Sequence, residues 1–374
     1  MASLALIAPL RSSAEQALVF IGTYTGPSSK GIYLSHFDQG TGKFGPVELA
    51  AEMNNPSFLA LHPKRRFLYA VSEVEEVAGK RSGTVCAFRI AQGSGKLTLI
   101  NQQPCEGAGP CHLAVDKSGK CVLVANYGGG SIAALPIQSD GGLGPPSLVV
   151  QHQGASVNAQ RQSAPHAHFI TTDPGDRFVL GCDLGLDKVL VYRFSPQPLS
   201  LEANDPPSVS LKPGAGPRHL AFHPNGQAVY VINELGSTVT VFAYDPRRGD
   251  LNEIQTLSTL PETFTGESFC AEIQVHPSGK FVYGSNRGHD SIAIFSTDAK
   301  TGKLSVVGYE PTGGKTPRHF ALDPRGNWLL AENQASDNVV VFRVDSRTGK
   351  LTATGQTIAV GAPVCLLFVP TSSF

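Results

Sequence analysis

Residues 217–251 read PRHLAFHPNGQAVYVINELGSTVTVFAYDPRRGDL. Three short runs rich in β-branched and aromatic residues, PRHLAF, AVYVIN and TVTVFAYD, are separated by turn chemistry at HPNG and GS, and a Gly-Asp-Leu turn opens a fourth run. The first run recurs along the chain as PSFLALHP (56–63), PCHLAVDK (110–117), HAHFITTDP (166–174), CAEIQVHP (270–277), PRHFALDP (317–324) and PVCLLFVP (363–370). With the quoted copy that makes seven. Their closing positions recur every 46 to 57 residues, the period of four-stranded propeller blades.

The second run also occurs seven times, as LVFIGTY (18–24), FLYAVSE, VLVANYG, FVLGCDL, VYVINEL, VYGSNRG and LLAENQA. Its first copy precedes any first run, and the last first run, near residue 370, has nothing after it. The incomplete ends complement each other. The expected fold is all-β, a seven-bladed propeller whose closing blade takes its innermost strand from the C-terminus and its other strands from the N-terminus, leaving no open edge in the ring.

Composition agrees. Forty Gly and 27 Pro serve many tight turns, and 30 basic residues balance 30 acidic ones. No overall field exists to hold DNA, RNA or an anionic bilayer, and no apolar run approaches the ~20 residues of a membrane-spanning helix. Seven Cys (86, 105, 111, 121, 182, 270, 365) lack metal-type spacing and suit reduced, packed thiols, which points to the cytoplasm. Residues 1–17 read as a leader, disordered or the remnant of a targeting segment, ahead of one domain over 18–374. Export to the periplasm is the alternative if the apolar stretch 4–10 belongs to a signal peptide. Nothing sets the oligomeric state, and a monomer is compatible.

In a blade the first strand starts where the second ends, so the repeat gathers defined positions at one end of the ring. The first-strand position holds Ser57, Cys111, His168, Arg218, Ala271, Arg318 and Val364, followed by Phe58, His112, Phe169, His219, Glu272, His319 and Cys365. The second strands end in Thr23–Tyr24, Ser72–Glu73, Asn126–Tyr127, Asp183–Leu184, Asn233–Glu234, Asn286–Arg287 and Asn333–Gln334. The first member of each pair suits a strand-ending turn. The second varies, as a ligand site on a repeated scaffold should.

His168, Arg218, Glu234 and Arg287 are the candidate catalytic residues. A carboxylate, an imidazole and two guanidiniums suit an anionic, ester-like substrate, although an ion-pair network joining blades fits the same residues equally well. His166, His219, Glu272, Arg318, His319 and Asn333 are the candidate substrate-binding residues. His166 and His168 alternate on one strand without further ligands, so no metal is expected. His62, His223 and His276, each before a turn Pro, read as structural. Gly128–Gly130 leads into a strand rather than a helix, and Ser163, His166 and Asp173 lack a nucleophile elbow.

At these residues the chain resembles the seven-bladed β-propeller lactonases, the family that includes propeller-type 6-phosphogluconolactonases and carboxy-cis,cis-muconate lactonizing enzymes. The marks are FIGTYTGPSSKGIY, PHAHFITTDP, GPRHLAFHP with VYVINEL, and SNRGHDSIAIF, and the resemblance spans residues 18–370. It implies a site at His168, Arg218, Glu234 and Arg287, with no cofactor, acting on a small anionic lactone or carboxylate. Hydrolysis would use Glu234 as base and His168 as proton donor, and the exchanged roles fit the sequence equally. Lactonising cyclisation, or a non-catalytic propeller binding a protein or small ligand, are the competing functions.

Overall fold

The computed structural model describes residues 16–370. Seven antiparallel sheets form a ring. Their innermost strands are Leu59–Leu61, Pro110–Val115, Ala167–Thr172, Pro217–Phe222, Phe269–Val275, Pro317–Leu322 and Pro363–Pro370, one for each copy of the first run. Six blades are continuous in sequence. The closing blade pairs Pro363–Pro370 with Gln16–Thr23, which then pairs with Gly31–Asp38. Its outermost position is divided between Lys43–Phe44 and Glu48–Glu52. The complementary ends therefore meet as expected. The first strand begins at Gln16, so Gln16 and Ala17, assigned above to the leader, belong to the blade, with Ala17 between Phe37 and Pro370. The rest of the leader lies outside the described residues.

Each second strand is buried on both faces, and its side chains alternate between two seams, which is why it reads as a continuous apolar run. In the first blade Leu68 and Ala70 pack toward the closing blade, while Phe67, Tyr69 and Val71 pack toward the second. Seven hydrophobic clusters result, one per seam. The core of this protein is a ring rather than a centre.

Polar staples cross the same seams. His62 reaches Gly119 O at 3.1 Å, His223 reaches Gly279 O at 2.9 Å and His276 reaches Gly326 O at 2.9 Å, each in the next blade's turn. The three glycines have φ near +70°, and a Cβ at Gly326 would stand 2.3 Å from the His276 ring, so glycine is required there twice over. Where the repeat has Asp instead, the carboxylate turns inward. Asp173 Oδ1 accepts from Arg177 N and Phe178 N within its own turn.

Candidate active site

The site is shaped by a slip in register that recurs around the channel. In the fourth blade Pro217 opposes Asn233 and His219 opposes Ile232, so Arg218 has no partner. The same happens at Cys111, His168, Arg318 and Val364, and the fifth blade slips at Ala271 and Glu272. A bulge re-aims the extra side chain. Consecutive residues such as Arg218 and His219, which strict alternation would send to opposite faces, thereby build two successive layers of one channel.

The upper layer encloses a cavity of about 270 Å³ lined by Glu73, Cys111, Tyr127, Arg161, His168, Glu234, Phe269, Arg287 and Arg318. Glu234, 6% exposed, is its electrostatic centre. Arg161 Nη2 meets Oε1 at 2.6 Å, while Arg287 Nη2 and Arg218 Nε stand 2.8 and 3.2 Å from Oε2. Arg218 also donates to Ala271 O, and Arg287 to Cys270 O, which ties both guanidiniums to the fifth blade. Across the cavity Arg318 donates to the Tyr24 hydroxyl at 2.9 Å, and Tyr24 donates to Glu73 at 2.9 Å. Three guanidiniums, those of Arg161, Arg287 and Arg318, thus line the cavity with two carboxyl groups, and Arg218 adds a fourth buried against Glu234.

Burial opposes the Glu234 charge, but Arg287, Arg218 and Arg161 outweigh it and hold the carboxyl far below the usual carboxylate range. Burial and the nearby Arg318 and Arg287 pull Arg218 down to about 9, with Glu234 as the main opposing influence. His168, buried and facing Arg218, is held well below the usual histidine range and stays neutral. Its Nδ1 lies 3.7 Å from the Cys111 thiol, which burial keeps protonated.

Of the four expected catalytic residues, His168, Glu234 and Arg287 line the cavity, and Arg218 is buried against Glu234 without lining it. Of the six expected substrate-binding residues, only Arg318 lines the cavity. His166 stacks on Tyr127 at 4.5 Å and hydrogen-bonds Tyr127 O at 2.9 Å, supporting the wall from behind. Asn333 is fully buried and donates to Thr312 O at 3.2 Å, the strand-ending role of its position. His219, Glu272 and His319 lie one layer lower, because the bulge separates their position from the one that lines the cavity. There Phe58, His112, Phe169 and the two histidines form a plug, with Phe58 4.0 Å from His112 and His112 4.2 Å from Phe169.

Sequence reasoning missed Tyr24, Glu73 and Tyr127, although all occupy the variable position after the second strand. It also missed Arg161, which sits in the 152–166 connection between blades. That connection is fastened by Gln162, which donates to Leu184 O and Asp187 Oδ1, both at 2.8 Å, and by Ser156 on Asp187. Arg161 donates to Tyr127 as well as to Glu234. Among the described residues, no three His, Cys, Asp or Glu side chains gather as metal ligands.

Comparison with known proteins adds an independent line. A family model described as lactonase, 7-bladed beta-propeller, matches residues 18–368. The chain is 38% identical over 350 residues to the 6-phosphogluconolactonase of Bacillus subtilis, covering 94% of this chain and 97% of that one. It is 35% identical over 316 residues to the 6-phosphogluconolactonase of Formosa agariphila, covering 82% and 86%. Among solved structures it superposes on the periplasmic gluconolactonase of Pseudomonas aeruginosa with a TM-score of 0.90 and 35% identity, covering 95% and 99%.

Proposed function

Because the chain belongs to the seven-bladed β-propeller lactonase family, we propose that it hydrolyses 6-phospho-D-glucono-1,5-lactone to 6-phosphogluconate, the lactone-opening step of the pentose phosphate pathway. The observation that carries this reading is the guanidinium cluster around Glu234 beside a neutral imidazole. Three guanidiniums on one carboxylate leave two positive charges in excess, which a phosphate dianion matches and a neutral sugar does not.

The electrostatics favour one of the two assignments left open by sequence. Glu234, clamped and strongly acidic, is a poor base and serves to hold Arg218 and Arg287 in place. His168 is neutral and keeps a lone pair for the proton; burial and Arg218 lower its basicity, so it takes the proton only as the anionic substrate and the developing oxyanion offset that positive charge. In this mechanism water attacks the lactone carbonyl carbon as His168 accepts its proton, and Arg218 and Arg287 stabilise the oxyanion. The ring C–O bond then breaks, and the departing alkoxide takes the proton from His168. Arg161 and Arg318 hold the phosphate. No metal or organic cofactor enters the scheme.

The test is proton release from freshly prepared phosphogluconolactone, read against the spontaneous rate with and without EDTA. Chelator-insensitive acceleration supports the proposal. No acceleration on this lactone, with turnover of a muconate or unphosphorylated gluconolactone instead, overturns it.

A cytoplasmic location belongs to the same reading and is supported by seven buried cysteines that remain free thiols. No helix among the described residues is long and apolar enough to cross a membrane. Cell fractionation with N-terminal sequencing of the mature protein tests the location.

A further inference from the structure

Beneath the cavity a chain of buried ionisable groups that the hydrolytic scheme does not use, His219, Glu272, His319 and Glu332, leads away from Arg218. Arg218 Nη1 lies 3.3 Å from His219 Nε2. His219 Nδ1 lies 2.9 Å from Glu272 Oε2, and the same oxygen is 3.5 Å from His319 Nε2. His319 Nδ1 is 2.6 Å from Glu332 Oε2. Burying two carboxyl groups and two imidazoles opposes folding unless they are paired, so the arrangement calls for a reason beyond packing.

We propose that Glu272 is a positioning residue that acts through His219 to hold the Arg218 guanidinium against Glu234. Arg218 has only N–H groups to offer, so His219 Nε2 must present its lone pair and the ring proton must sit on Nδ1. That proton needs an acceptor, and Glu272 Oε2 is the one in reach. His219 is itself kept neutral, by burial first and then by Arg218 and the surrounding histidines. A carboxylate thus fixes the tautomer of an imidazole, which in turn orients the group expected to bind the oxyanion.

The arrangement also has a pH at which it lets go. Glu272 faces His219 and Arg218 from the fourth blade, His319 and Glu332 from the sixth, and Ser285 on its own sheet, whose hydroxyl accepts its backbone N–H at 3.0 Å. Burial pushes its carboxyl up to about 7, against the pull of His319 and Arg218 and with Glu332 adding to the rise. A proton arriving on Oε2 confronts the Nδ1 proton of His219. The ring then carries its proton on Nε2, donor meets donor at Arg218, and the guanidinium loses the ring as a support and is held by Ala271 O and Glu234 alone.

The experiment compares wild type with Glu272→Gln and Glu272→Met, using two readouts. In Glu272→Gln the side-chain carbonyl accepts from His219 Nδ1 at every pH, so kcat/KM is retained within a few-fold and the wild-type fall below about pH 7 disappears. In Glu272→Met no acceptor remains, and kcat/KM drops about 10- to 100-fold, the scale for losing a group that orients a functional residue. The second readout is independent of turnover. The ¹⁵N signals of His219 in histidine-labelled protein, assigned with a His219→Asn variant, switch tautomer near neutral pH in wild type and stay fixed in Glu272→Gln.

The kinetic arm rests on the lactonase reading, whereas the NMR arm does not, so failure of one is separable from failure of the other. If Glu272→Met does not fold, the Gln variant still decides. A wild-type acid limb that persists in Glu272→Gln, or a His219 ring that titrates alike in both proteins, overturns the proposal.

Discussion

Arg161 and Glu234 are 73 positions apart in sequence and 2.6 Å apart across the mouth of the channel. Arg161 is the most exposed of the three guanidiniums on this carboxylate, at 36% against 14% for Arg287 and 3% for Arg218. It therefore gives up least when it exchanges Glu234 for an incoming anion. Arg161→Met should raise KM for the phosphorylated lactone by about tenfold or more, the scale of a lost hydrogen bond to a charged group. Unphosphorylated gluconolactone should be turned over almost as before. An equal loss on both substrates would sink the assignment.

Glu234 has a second role as counter-ion. Glu234→Gln strands three guanidiniums, two of them largely buried, at a cost on the order of 3–5 kcal/mol. The sign with pH follows from its lowered pKa. The stabilisation is complete above the unfolded carboxyl value of 4.5 and is lost as pH falls below it toward the folded value. Calorimetry should show a Tm deficit for the variant at pH 7 that narrows below about pH 4.5, and phosphate should recover part of the deficit at neutral pH by binding the freed cluster.

His168→Asn tests the proton carrier. Losing a general base lowers kcat by about two to four orders of magnitude with little change in KM. Since His168 stays neutral across the neutral range, the residual activity should keep the wild-type pH profile there. A normal kcat in the folded variant returns the role to Glu234.

His276→Ala removes the staple from the fifth blade to Gly326 O. A single buried hydrogen bond contributes about 1 kcal/mol, and the carbonyl left behind adds to the cost. Urea denaturation should show a loss of about 1–3 kcal/mol with kcat/KM per folded molecule unchanged. Unaltered stability would mean that the seam is held by its apolar cluster alone.

Ring closure is open to direct test. Deleting residues 363–374 removes the strand whose Val364, Cys365, Leu366 and Val369 are buried and whose pairing covers Gln16–Thr23. The truncated chain should aggregate. Soluble, cooperatively unfolding protein would show that the pairing is dispensable.

The ring, its blade count and its closure were legible because one unit repeats and its two incomplete copies fit together. The residues around Glu234 were legible for the same reason, since the repeat aligns Arg218, Glu234 and Arg287. The bulges were not. Slipping one residue leaves no mark in composition or alternation, and so His219, Glu272 and His319 were expected to line the cavity, whereas they lie one layer beneath it. Arg161 was out of reach for a different reason. It stands in a connection with no counterpart in the other blades, so alignment of the repeats passes over it.

The pairing of Gln16–Thr23 with Pro363–Pro370 also sets an order of events during synthesis. The inner partner of Gln16–Thr23 is made only after some 340 further residues. At about 5–20 residues per second that wait is on the order of 20 to 70 s. For most of it, Val19 and Ile21, fully buried in the finished ring, lack the sixth-blade residues Trp328, Leu330 and Val341 that cover them. The cavity draws its walls from blades around the circle, from Glu73 in the first to Arg318 in the sixth, and Arg318 is in turn held by Tyr24 of the closing blade. A nascent or prematurely ended chain therefore has no working fraction of the site, and the appearance of activity in a translation reaction would time the moment at which the last strand docks.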